Sequence, residues 1–356
     1  MARGTEEYFN GILINTRAFG KYAETLPHQN RNALIKSGVF TSDPRVKALL
    51  QSQVGSYYGM IPMKGRIGGD PVNYDGQTDI PTTGIGTCSQ GVIAYGRANG
   101  WEELDFTTDI SAGEDPLTWM GQQIADYWDD VDTKIVMGVT NGLFGMGSKS
   151  DATDNEKFFS EKHTLDVSDT VDGVITPETL NNLIQQASGD KRGHFTTVFM
   201  HSTVAKNLEN QKLLEWMKGT DANGIQRDLT MATWNGRTVI VDDGMPYDPE
   251  TGLYTTYVFG RGAFSFDSLG AKVPMSISRD EAKRGGITYL YNRRRNILVP
   301  RGISFIGNHK LASLSPTDAE LFDHNNWEII TNHKTGSELQ QVEHRDIPIA
   351  RIISKG

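Results

Sequence analysis

The sequence predicts an α+β protein in which one long amphipathic helix lies between extended, glycine-rich chain and a compact α/β unit. Three observations carry this reading. Apolar residues recur at three- and four-residue steps from Leu117 to Val139, the stripe of an amphipathic helix. Glycines from Gly55 to Gly91 punctuate residues 54–108, which are otherwise rich in Thr, Tyr and Val. Between 176 and 270, helix-period and strand-period segments alternate, as in a mixed α/β sheet.

Composition agrees. The 356 residues suffice for two or three compact units. A hydrophobic share of 37% with 38 Gly and 13 Pro favours turns and extended loops over a helical bundle. Cys88 is the sole cysteine, which excludes an intrachain disulfide and a cysteine-rich zinc site. No apolar run approaches the ~20 residues of a membrane helix. The first residues, Met1 to Glu7, lack the apolar centre of a signal peptide. The expectation is a soluble protein made in a reducing cytoplasm.

The net charge is −9, unlike the basic balance of a free-standing DNA binder. Residues 101–132 hold ten acids (Glu102, Glu103, Asp105, Asp109, Glu114, Asp115, Asp126, Asp129, Asp130, Asp132) and no Lys or Arg. The rest of the chain sums to +1. That window reads as a solvated helix face with an acidic start, or as a surface for a basic partner. The opposite feature is Asn292-Arg293-Arg294-Arg295, with Arg301 nearby. On a strand, at most two of three consecutive arginines share a face.

Taken in order, residues 1–50 show weak periodicity and net +3, and read as an extended arm with a short helix near Pro44–Gln53. A long structureless segment fits poorly inside a compact domain; docking on another subunit resolves that conflict. Residues 54–108 read as a long β-hairpin or glycine-jointed loop around the turn Asn73-Tyr74-Asp75-Gly76-Gln77. The helix of 115–139 has Asp115 as cap and Pro116 as first residue, with Asp126, Asp129, Asp130 and Asp132 mostly off its stripe and Gly138, Gly142 and Gly145 ending it. Residues 146–170 read as a polar loop. A helix from Thr176, a buried strand at Thr196–Met200 and a helix over Ser202–Met217 follow, then a turn at Asp221-Ala222-Asn223-Gly224 and strands at Thr238–Val241 and Leu253–Phe259. Val273–Ser278, Thr288–Asn292 and Ile297–Val299 read as antiparallel strands, Ser313–Leu321 as a capped short helix, and Ile347–Ile353 as a closing strand.

No constellation for chemistry emerges. Gly84-Ile85-Gly86-Thr87-Cys88-Ser89 lacks the Gly-Lys-Ser/Thr ending of a phosphate loop. The C-terminal histidines His309, His324, His333 and His344 are spaced 15, 9 and 11 apart, which matches no zinc pattern. His201-Ser202 reads as a helix start with Ser202 as cap rather than a nucleophile pair, and Asp242-Asp243 as turn acids rather than a carboxylate dyad. Cys88 reads as a bystander thiol. The expectation is therefore no catalytic, cofactor or metal residues, and a building block rather than an enzyme.

Several stretches in this order resemble the major capsid proteins of tailed bacteriophages with the Hong Kong 97-type fold. They are Gly113-Glu114-Asp115-Pro116-Leu117, Ile124-Ala125-Asp126-Tyr127-Trp128, Val139-Thr140-Asn141-Gly142-Leu143-Phe144, Met200 to Leu208, Thr233 to Asp243, Ser315-Pro316-Thr317 and Asn326-Trp327-Glu328. The resemblance covers roughly residues 40–356. It implies an N-terminal arm (1–53), an extended β loop (54–110), a peripheral domain with a long spine helix at 115–141 (111–175 and 271–310), and an axial α/β domain with a C-terminal segment (176–270 and 311–356). It implies self-assembly through pentamers and hexamers into the icosahedral head shell of a tailed double-stranded DNA phage, made in the bacterial cytoplasm and residing in the virion. A separate scaffolding protein, a portal, decoration proteins and nonspecifically held DNA are the implied partners, with no membrane. The candidate inter-subunit contacts are Arg293, Arg294 and Arg295 against Asp126, Asp129 and Asp130. An encapsulin-like nanocompartment shell is the alternative with the same fold.

Overall fold

The computed structural model describes residues 6–9, 12–15, 38–52, 57–64, 71–80, 87–104, 116–170, 172–220, 226–306, 311–331 and 342–356. Strands β1 (Glu6–Phe9) and β2 (Ile12–Asn15) pair with each other. The chain continues through β3 (Phe40–Thr41), α1 (Pro44–Ser52), β4 (Tyr58–Lys64), β5 (Thr87–Leu104) and α2 (Pro116–Leu143). Then come α3 (Asp154–Lys162), β6 (Thr164–Asp166), α4 (Thr179–Ser188), β7 (Phe195–Met200) and α5 (Ser202–Asn210). Five strands follow, β8 (Glu215–Thr220), β9 (Gln226–Trp234), β10 (Arg237–Val241), β11 (Tyr247–Asp248) and β12 (Leu253–Gly260). The chain ends with β13 (Phe264–Ser268), β14 (Met275–Asp280), β15 (Ile287–Pro300), β16 (Ile303–Phe305), α6 (Asp318–Phe322), β17 (Trp327–Ile329) and β18 (Ile349–Lys355).

Two mixed sheets organise these elements. The first runs β6-β18-β12-β7-β10-β9-β8, with β11 on β12. Its β7–β10 and β6–β18 pairs are parallel. The last strand of the chain thus sits inside this sheet. Helices α4 and α5 bury Leu180, Leu183, Ile184, Val204 and Leu208 against Val198, Val239, Val258 and Ile352. The second sheet runs β3-β13-β15-β5-β4, with β14 also on β15. β5 and β15 pair antiparallel from Ala94↔Ile297 to Leu104↔Ile287.

The period-2 alternation of a strand explains why the second sheet is covered on both faces. Val92 and Ala94 of β5, with Ile297 and Val299 of β15, pack against Val46 and Leu50 of α1. The intervening Ile93, Tyr95 and Leu298 face the other way, into a core shared with Ile135, Val136 and Val139 of α2. That core continues through Phe144, Phe159, Tyr257 and Phe259, joining the two sheets at the end of α2. The exposed stretch 71–80 is turned by Asp75, whose carboxylate accepts from Gln77 N–H at 2.9 Å and Thr78 N–H at 2.7 Å.

Several local expectations change. Gly138 and Gly142 do not end α2, which runs on to Leu143. Both glycines admit Phe322: a Cβ at Gly138 would overlap its ring, and one at Gly142 its carbonyl oxygen. The stretch 146–170 holds α3, started by a capping box between Thr153 and Glu156. It was hidden because its buried residues are Phe159 and the polar Glu156. Helix α5 stops at Asn210, Lys212 takes a left-handed φ of 57°, and the chain becomes β8. β9 was not foreseen. The N-cap of α5 is His201, whose Nδ1 accepts from Thr203 N–H at 3.1 Å, and not Ser202. The two strand readings flanking the arginine run are one 14-residue strand, β15. The turn at 221–224, the loop at 84–86, Asp115 and most of residues 1–50 lie outside the described residues.

Candidate functional site

The arginine run sits in the middle of β15, where alternation sends its members to opposite sides. Arg294 is 8% exposed and faces α2, with its guanidinium 5.1 Å from the Trp128 ring. Its neighbours in the same register, Asn292 and Asn296, are buried too. Asn296 Nδ2 donates to Asp132 Oδ1 at 3.1 Å. Asp129, between Trp128 and Asp132 on that part of α2, is also buried. A polar layer therefore lies between helix and sheet, flanked by the apolar contacts of Ile124 and Leu290 on one side and Ile135 and Leu298 on the other. Buried polar groups persist when paired.

The other arginines point away from α2. Arg293 is exposed; it donates to Ser276 Oγ at 3.2 Å and lies 5.9 Å from the Tyr291 ring. Arg295 is half-buried, 5.1 Å from the Tyr57 ring on the α1 side. Asp126 and Asp130 are exposed on α2. The structure thus brings Arg294 and Asp129 to one helix–sheet interface within the chain, and leaves Arg293, Asp126 and Asp130 facing outward. By sequence Asp129 and Asp132 fall off the apolar stripe; the signal for their burial is Asn292-x-Arg294-x-Asn296, a polar strand face that demands a polar helix face.

The sequence motifs weighed for chemistry have structural jobs. His201 Nε2 lies 3.8 Å from Asp243 Oδ1, and that carboxylate also accepts from Ser202 N–H at 3.3 Å. Hydrogen bonding to Ser202 holds Asp243 below the usual carboxylate range. Ser202 is thus bonded to the acid directly, with no histidine between them as a nucleophile's base requires. Asp242 accepts from Gly244 N–H at 2.8 Å, a turn contact. Cys88 is buried, which raises its thiol pKa and disfavours the reactive thiolate. His163, missed by sequence, is fully buried: its Nδ1 meets the Ile349 carbonyl at 2.7 Å and its Nε2 meets His344 Nδ1 at 3.3 Å. Burial lowers its pKa to about 3. Among the described residues no three His, Cys, Asp or Glu gather as for a metal; His309 and His333 lie outside them. Among the described residues no helix is long and apolar enough to cross a membrane.

What this arrangement offers is surface and scaffold. The same fold is found in two solved phage shells. One is the capsid asymmetric unit of cyanophage Pam1, with a TM-score of 0.50 and 10% identity, covering 90% of this chain and 89% of that one. The other is the capsid of Ralstonia phage GP4, with a TM-score of 0.51 and 9% identity over 90% and 88%. The fold is therefore that of phage capsid proteins. In sequence, the chain is 29% identical over 342 residues to the major capsid protein of Bacillus phage SPP1, spanning 95% of each. In fold and in sequence the chain is thus similar to phage capsid proteins, and no family model matches it.

Proposed function

We propose that this chain self-assembles, through hexamers and pentamers, into the icosahedral head shell of a tailed double-stranded DNA phage. One observation carries the reading: a sequence relationship to a major capsid protein that spans 95% of both chains, with no long region unmatched in either. In Hong Kong 97-type terms, residues 1–53 are the arm, 54–110 the extended loop, 111–175 with 271–310 the peripheral domain, and 176–270 with 311–356 the axial domain and C-terminal segment. Support comes from the two sheets and from α2 running along β15. The role is structural, not catalytic. Arg293, Asp126 and Asp130 are the outward charges offered to neighbours, while Arg294 and Asp129 hold the chain's own helix to its sheet. Scaffolding protein, portal, decoration proteins and nonspecifically bound DNA are the partners, and the virion is where the protein resides. An encapsulin-like shell would share the fold; the phage relative favours the viral reading.

The test is expression with and without a scaffolding protein, followed by negative-stain electron microscopy. Closed shells or uniform capsomers are expected. A strictly monomeric species under both conditions overturns the proposal.

A further inference from the structure

Two arginines stand side by side at the Pro300 end of the second sheet. Arg261-Gly262 turns β12 into β13, and Arg301-Gly302 turns β15 into β16. Each glycine has a left-handed φ, 66° at Gly262 and 79° at Gly302, which only a glycine adopts without strain. The turns are tied by backbone bonds, Arg301 N–H to the Ala263 carbonyl at 2.9 Å and Gly262 N–H to the Gly38 carbonyl at 2.7 Å. Both arginines line a cavity of about 540 Å³ together with Gln90, His194 and Pro348. Its carboxylate, Asp43, is already engaged by Arg45 at 2.8 Å. Arg261 and Arg301 are exposed and have no ion-pair partner among the described residues. The result is a double positive charge in a concavity, uncompensated by any described residue.

We propose that this cavity receives the acidic stretch 105–115 of a second copy of the chain, bearing Asp105, Asp109, Glu114 and Asp115. The inference rests on the self-assembly reading above and adds the partner surfaces to it. The stretch carries no Lys or Arg, so its charge complements the cavity. Its own copy's cavity is out of reach. The stretch joins Leu104, paired with Ile287 at the far end of β15, to Pro116 at the start of α2. Since Trp128 lies by Arg294 and Asp132 by Asn296, α2 runs alongside β15 and begins at that same far end. The 14 residues of β15 span about 45 Å at ~3.3 Å each. A tether of about 11 residues anchored at both ends there extends at most about 20 Å. The anchors of the stretch, Leu104 and Pro116, therefore lie at the opposite end of the chain from the cavity, and stretch and cavity meet only between copies. Such a contact is head-to-tail, which closes rings when the rotation allows.

The experiment titrates a fluorescent peptide of residues 104–116 against the dissociated full chain and reads anisotropy. Binding that weakens as salt rises is expected. It should fall at least tenfold in Arg261→Glu/Arg301→Glu and stay unchanged in Arg284→Glu, an exposed arginine at the other end of the sheet. A peptide with the four acids replaced by lysine should bind the double variant and not the original chain. Equal binding to both chains, or none to the original, overturns the proposal. So does a duplex DNA probe that binds through these arginines where the peptide does not, which would make the cavity a phosphate site. The peptide reports on one copy, so its result stands apart from whether shells form.

Discussion

The Asn296 amide donates to the Asp132 carboxylate at 3.1 Å, across the seam between β15 and α2, with both side chains less than a tenth exposed. This bond locks the register of the long helix on the long strand, because a helix slid by one turn would set apolar stripe against Asn292, Arg294 and Asn296. Asp132→Ala removes the acceptor and strands a buried amide, at a cost of about 1–3 kcal/mol. Chemical denaturation should show a lower midpoint. A midpoint equal to that of the unaltered chain would mean that the pair contributes nothing to the seam.

Arg293 and Arg294 are adjacent in sequence and opposite in role. Arg294→Ala loses a buried stem and the contact with Trp128, worth about 2 kcal/mol together. Arg293→Ala, on the exposed face, should leave stability within about 0.5 kcal/mol. Paired thermal melts decide this, and equal losses from both would contradict the assigned faces.

Helix propensity alone says that Gly142→Ala stabilises α2 by about 1 kcal/mol. The packing says the reverse, because the new Cβ would overlap the Phe322 carbonyl, which belongs to backbone and cannot rotate away. A net loss of about 1–3 kcal/mol is expected. A higher melting temperature for Gly142→Ala would refute the close approach of α6 to α2.

His163 makes stability depend on pH. Neutral, it bridges the Ile349 carbonyl and His344. Its folded pKa of about 3 lies below the 6.5 of an unfolded histidine, so the unfolded state takes the proton first as pH falls. The stability is fully present above pH 6.5 and is lost progressively below it, at up to about 1.4 kcal/mol per pH unit. Burial lowers His344 as well, in the same direction. Urea midpoints at pH 7.5 and 5.0 should differ markedly in the unaltered chain and less in His163→Gln. An equal pH dependence in both would assign the acid sensitivity elsewhere.

Much of the architecture was legible in local chemistry. The stripe from Leu117 to Val139 announced α2, and Thr196–Met200 announced a buried strand, since periodicity and β-branched content act over a few neighbouring residues. Other elements were illegible for the same reason. α3 buries little more than Phe159 and Glu156, too few positions to make a stripe. The glycines of α2 resemble a helix end because their real reason, the close approach of Phe322, is nearly two hundred residues away.

The candidate surfaces divide along the same line. Residue order sets the amounts and neighbourhoods of charge: an acidic window without a compensating base, and three arginines in a row. Which of those charges are used inside the chain follows from how distant segments pack. Pairing β15 with β5 under α2 turned Arg294, Asp129 and Asp132 inward and left Arg293, Asp126 and Asp130 outward. It also brought Arg261 and Arg301, forty residues apart, to adjoining turns. The physical reason is that a side chain's direction follows from its own strand or helix, whereas its burial depends on what a distant segment lays over it.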